Sequence, residues 1–80
     1  MKLAELLRSR RQALGMSLED VADATGSSKS YVWELENGKS YKMGLTLAAR
    51  FALVLGINVN MMAVAALETE RAVKEDRDVT

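Results

Sequence analysis

Apolar residues recur along this chain at steps of three and four, and the pattern breaks at glycines. Leu3, Leu6, Leu7 and Leu14, with Ala13 beside them, make one stripe opposite Arg8, Ser9 and Gln12. That spacing predicts an amphipathic first helix ended by Gly15. Ser17, with Asp20 three residues on, forms a capping-box-like start for a second helix, whose inward positions are Leu18, Val21, Ala22 and Thr25. Gly26 stops it. Ser27 or Ser28 caps a third helix, which turns Val32 and Leu35 inward and ends at Asn37-Gly38. A polar connection from Lys39 to Gly44 leads to a fourth helix carrying Leu45, Leu47, Ala48, Phe51, Ala52 and Leu55, closed by Gly56. Asn58 caps a fifth, which begins near Val59 and runs through "MMAVAALETERAV". After Glu68 the residues become densely charged, and "KEDRDVT" is expected to fray. There is no internal repeat and no low-complexity block.

The absence of proline, with abundant Ala, Leu, Met, Glu and Arg, favours helix over strand throughout and predicts an all-α fold of five helices. Eighty residues suffice for one small domain near the lower limit of a self-sufficient core. Residues 1–67 are assigned to that domain, and 68–80 to a charged helical extension or a frayed tail. Without cysteine or histidine there is no disulfide, no thiolate metal site and no imidazole base. A hydrolase or metalloenzyme is therefore not expected, and neither a metal nor another cofactor is implied. Apolar burial must supply stability, and 49 % of the residues are hydrophobic. The stretch from Leu45 to Leu67 is apolar enough to raise the question of a membrane span. Arg50, Gly56, Asn58 and Asn60 interrupt it, so two core helices are expected instead. Met1 to Leu14 lacks the apolar run of a secretory signal, and a cytoplasmic location is expected.

Charge changes the picture only slightly. The formal net charge is zero, with eight Lys/Arg against six acids in residues 1–50 and three against five in the remainder. A weakly basic body with an acidic tail does not by itself identify a polyanion partner. Geometry is more informative. The connection between the second and third helices, Gly26 plus one or two serines, is too short for a comfortable antiparallel hairpin. Ala22 and Gly26 are small where the two helices would cross. A helix, a short glycine turn and a second helix form the unit whose second helix can enter a DNA major groove.

Several spaced motifs agree with that reading: Arg11, Leu14-Gly15 and Ser17; Val21-Ala22; Gly26-Ser27-Ser28 and Ser30-Tyr31-Val32; Leu35-Glu36-Asn37-Gly38-Lys39; and Phe51-Ala52 with Leu55-Gly56-Ile57. Together they resemble the lambda-repressor-like helix-turn-helix family over roughly residues 3 to 63. The resemblance implies a compact five-helix domain that binds operator DNA as a dimer and regulates transcription, as a repressor acting on a near-palindromic site. It puts Ser28, Lys29 and Ser30 at the base edges, with Trp33 and Glu34 one turn on. A helix amino terminus offers free N–H groups and a positive dipole end. Lys29 can donate to guanine or to phosphate, the serines to most bases, and Glu34 can accept from cytosine N4. Trp33 is open between a thymine methyl or sugar contact and a ring packed in the core or a dimer.

Backbone contacts are expected from Ser17, the Tyr31 hydroxyl, the Asn37-Gly38-Lys39 corner with its free amide, Lys42 and Arg10. Arg8 and Lys2 are read as solvated. The resemblance further implies a buried pair between Arg11 and Glu36. Leu18 departs from it, since a phosphate-binding glutamine is usual there. Met43 stands where a proline is usual, after a loop that is longer by a residue. So few phosphate partners make a monomer a weak binder, which requires a homodimer. Val59, Met61, Met62, Val64, Ala65, Ala66 and Leu67 are the expected interface, the alternative being that they fill the monomer core. A competing reading makes the chain an antitoxin-type interaction module that holds a toxin or other protein through its fifth helix and acidic tail.

Overall fold

Four glycine-terminated breaks divide the chain into five helices: α1 (Leu3–Ala13), α2 (Leu18–Thr25), α3 (Lys29–Glu36), α4 (Leu45–Leu55) and α5 (Val59–Asp78). The structure, a computed structural model, describes residues 1–78 and the side chains of residues 1–75. Among the described residues there is no strand.

Local chemistry sets the helix starts. The Ser17 hydroxyl accepts from the Asp20 amide at 3.0 Å, and the Asp20 carboxylate accepts from the Ser17 amide at 2.9 Å, a reciprocal cap. That backbone donor, and then the Ser17 side chain, hold the Asp20 carboxyl below its ordinary range. Ser28 caps α3 by accepting from the Tyr31 amide at 3.1 Å. Asn58 caps α5 by accepting from the Asn60 amide at 2.7 Å. At the α2–α3 corner, Gly26 has φ +71°, a conformation that costs a residue with a Cβ. It lets the Ser27 amide donate back to Ala22 at 2.9 Å, so α3 starts almost at once.

The core forms where all five helices converge. Phe51 of α4 is fully buried, in a core it shares with Leu3, Leu6 and Leu7 of α1, Val21 and Ala22 of α2, Val32 and Leu35 of α3, and Met62 and Ala65 of α5. Truncating a buried phenylalanine typically costs about 3–5 kcal/mol, a large part of the stability of a chain this short. Thr25 is buried as well, but its hydroxyl donates to the Val21 carbonyl at 2.7 Å and is 2.8 Å from that of Ser27. Ala13 and Leu14, expected in the first stripe, are exposed because the helix ends there and the chain turns away.

α5 continues through the charged residues to Asp78, a length of about 30 Å at 1.5 Å per residue. Its middle covers the start of α1. The Thr69 hydroxyl accepts from the Leu3 amide at 3.0 Å while donating to Ala65, and Glu68 pairs with the Met1 amino group at 3.0 Å. The stretch expected to fray is thus helical as far as Asp78, and Val79-Thr80 lies outside the described residues. No helix among the described residues is long and apolar enough to cross a membrane.

Candidate nucleic-acid interface

α3 is short enough for its two faces to be told apart residue by residue. Val32, Leu35 and Glu36 are buried, whereas Ser28, Lys29, Ser30, Trp33 and Glu34 are exposed together. The exposed set occupies one side because positions three and four residues apart, such as Ser30 with Trp33 and Glu34, fall on the same face of a helix. The leading end of α3 is open: Ser28 uses its oxygen for the cap, which leaves the hydroxyl hydrogen and the first amides of the helix for an outside acceptor. Lys29 adds a flexible ammonium there. Glu34 places one carboxylate on the same face, and Trp33 is 47 % exposed.

The trailing end of α3 is clamped. Arg11 Nε donates to Glu36 at 2.7 Å and Arg11 Nη2 to the other carboxylate oxygen at 3.0 Å, while Arg11 Nη1 donates to the Met16 carbonyl at 2.9 Å. The Glu36 bond raises the Arg11 pKa against the opposing effect of burial. Arg8, expected to be solvated, has a side chain 46 % exposed and also joins the clamp. Its Nη2 donates to the Glu36 carbonyl at 3.0 Å and to Asn37 Oδ1 at 3.3 Å, and its Nε lies 3.5 Å from the Glu36 carboxylate. Two arginines of α1 therefore fix the carboxyl end of α3 and leave the amino end unobstructed.

Several expectations for the flanking positions need correction. Arg10 is not an outward phosphate ligand: Nε donates to the Leu55 carbonyl at 3.0 Å, and Nη2 stands 3.3 Å from where a Cβ at Gly56 would be. A cation at the last carbonyls of α4 is well placed against the helix dipole. The Tyr31 hydroxyl donates to the Lys42 carbonyl at 3.1 Å, so it braces the loop before α4 and does not reach outward as a donor. Burial, and then the Glu34 charge, push its pKa up. The corner also lacks the free amide expected of it. The Asn37, Gly38 and Lys39 amides donate to Trp33, Leu35 and Glu34 at 3.0, 3.5 and 2.9 Å. The Asn37 amide group donates to the Trp33 carbonyl at 2.8 Å. At this corner the outward donors are therefore the Lys39 ammonium and the second Asn37 amide hydrogen, with the long Gly38 bond easily exchanged. Lys42 is exposed, its Nζ 5.9 Å from the Tyr41 ring centroid. Ser17 is exposed, its hydroxyl hydrogen uncommitted by the cap.

The fifth helix divides more finely than its composition suggests. Met62 and Ala65 are 5 % and 3 % exposed and belong to the core of their own subunit, so they leave the expected interface. Ala66 is half-buried beside them, and Val59, Met61, Val64 and Leu67 remain exposed. The sequence reading missed their neighbours on α4. Leu45, Ala49 and Leu53, at four-residue steps, are exposed, the two leucines at 85 % and 83 %. A groove of about 490 Å3 lies between the two helices, with Leu45, Ala49, Val59, Ala63 and Leu67 on its walls. The signal was present in the four-residue spacing of these residues. Arg50 was also passed over; its Nη1 lies 3.4 Å from a Cβ position at Gly26, against the turn into α3.

Comparison with known proteins gives consistent findings. Residues 2–65 match the family described as the helix-turn-helix domain. The crystal structure of the clp gene regulator ClgR from Corynebacterium glutamicum is similar, with a TM-score of 0.69 and 28 % sequence identity over 96 % of this chain and 81 % of that one. No curated protein sequence matches the chain.

Proposed function

The chain belongs to the helix-turn-helix domain family, and from that premise we propose that it is a sequence-specific DNA-binding regulator of transcription, a repressor that reads a near-palindromic operator as a homodimer. One observation carries the reading: α3 is held by its carboxyl end while Ser28, Lys29 and Ser30 stand exposed at its amino end. An open helix amino terminus with adjacent hydroxyls and an ammonium suits phosphate and base edges alike. The similar solved protein is titled a gene regulator, which agrees with this role.

Lys29, Ser30, Trp33 and Glu34 read bases, while Ser17, Lys39 and Lys42 hold the sugar-phosphate chain. Two phosphate-facing lysines are few. A protein that neutralises only two phosphates gains little affinity from counterion release, so a second copy on the same DNA face is needed. The exposed apolar side chains of α4 and α5 support that copy: Leu45, Leu53, Val59, Met61, Val64 and Leu67 are costly to leave in water. A protein-interaction reading of the antitoxin type draws on the same surface, and co-purification of a second chain would favour it.

The deciding experiment selects bound duplexes from a random pool and measures the stoichiometry of the complex. The expected result is an enriched, nearly palindromic site with half-sites about one helical turn apart and two chains bound. Failure of any selected duplex to outcompete bulk DNA at moderate salt would overturn the assignment.

A further inference from the structure

The presumed reading face carries a feature that charge and hydrogen bonding leave unexplained. Leu18 is the first residue of α2, half-buried and packed in part against the core. Trp33 projects from α3. These two large apolar side chains, from different helices, border one open hollow of about 320 Å3, completed by Lys29, Ser30 and Glu34. It adjoins the open end of α3, so it is continuous with the surface proposed above to meet bases.

We infer that the Leu18–Trp33 hollow receives the 5-methyl group of a thymine in the major groove and thereby fixes one position of each half-site. Leu18 is then a specificity-determining residue. The chemistry of the rim supports thymine as the occupant. Thymine carries its methyl group beside the O4 acceptor, and Lys29 and Ser30 supply donors at the rim. Its adenine partner presents an N6 donor, for which Glu34 is an acceptor. Cytosine could satisfy Glu34 through its N4 donor but has no methyl group for the hollow, so the methyl group is what separates the two pyrimidines. A negative charge on this face, unhelpful against phosphate, thus has a use against a base.

The inference rests on the DNA-binding reading, and the test separates the two. On the selected operator, each thymine is replaced in turn by deoxyuridine, which removes the methyl group and leaves the pairing intact. Burying one methyl-sized group is worth about 0.8 kcal/mol, so one thymine per half-site should show about a fourfold loss of affinity on replacement. The Leu18→Gln and Trp33→Ala proteins, checked for folding by circular dichroism, should lose the penalty at that position. Leu18→Gln retains the length of the side chain and offers an amide to phosphate, so its overall affinity need not fall; the thymine-to-deoxyuridine difference is the readout, and it keeps the test open if Trp33→Ala folds poorly. Selective binding with no methyl-dependent thymine overturns the inference and leaves the regulator reading intact. So does a penalty that persists undiminished in both variants. Absence of any selective DNA binding removes the reading on which the inference rests, and the inference with it.

Discussion

Replacing Glu36 with alanine tests the clamp that sets the position of α3. The Glu36 side chain is 3 % exposed and that of Arg11 16 % exposed, and the two bonds between them measure 2.7 and 3.0 Å. Removing the carboxylate leaves the Arg11 guanidinium with the Met16 carbonyl as its remaining acceptor. Breaking a buried pair from one side costs about 3–5 kcal/mol, because the surviving charge is stranded. The retained Met16 bond and the partial exposure of Arg11 point to the lower end, about 3 kcal/mol. For a domain this size each kcal/mol lowers Tm by about 4–8 °C, so a fall of roughly 12–24 °C is expected in thermal unfolding followed by circular dichroism. Removing both charges with apolar residues of similar volume is often neutral, so Arg11→Met/Glu36→Leu should recover most of that loss. A Glu36→Ala protein that melts within about 3 °C of the parent would refute the reasoning, as would a double variant that falls as far as the single one.

Three further outcomes can be measured directly. Arg10→Ala should lower stability by about 1.5–3 kcal/mol through loss of a charged donor to Leu55 while leaving the salt dependence of DNA binding unchanged; Lys39→Ala should do the reverse, reducing the salt slope by about one with little effect on melting. Met62→Asp should prevent folding, whereas Leu67→Asp should leave a folded monomer, distinguishable by light scattering and circular dichroism; a folded Met62→Asp monomer would contradict its place in the core. The folded pKa of Asp20 lies below its unfolded one. The contribution of the cap is therefore complete above the ordinary carboxylate range, near about pH 4, and is lost as pH falls through the lowered value. Asp20→Ala should flatten the acid side of a Tm-against-pH curve.

Local chemistry was legible in the sequence wherever one residue decides the backbone. Gly15, Gly26, Gly38 and Gly56 all adopt positive φ, and the Ser17, Ser28 and Asn58 starts form as their side chains require. The Arg11–Glu36 pair was reachable only through the family resemblance, because its partners are 25 residues apart and no periodicity links them. Periodicity failed on α5 for a physical reason: Val59 to Leu67 is apolar nearly all round, so the pattern has no phase and could not separate Met62 from Met61. Arg8 and Arg10 both reach a helix end inside the protein, a role expected of neither. Two exposed-looking arginines two residues apart on α1 differ only in which neighbouring helix end each reaches, a fact of packing with no local signal. The free amide expected of the Asn37-Gly38-Lys39 corner is reduced to the long Gly38 bond, since the chain turns back tightly enough for its amides to reach its own carbonyls.

Two arginines grip one tip of a helix barely two turns long, and the opposite tip faces outward. On the proposed reading, recognition and architecture are uncoupled along a single rod. Residues 28 to 30 can be exchanged for other polar residues with little penalty to folding, provided position 28 keeps a capping side chain. Libraries randomised at positions 29, 30, 33 and 34 should accordingly return many well-folded proteins with altered target preference, which makes this small scaffold a suitable starting point for changing the addresses a regulator responds to.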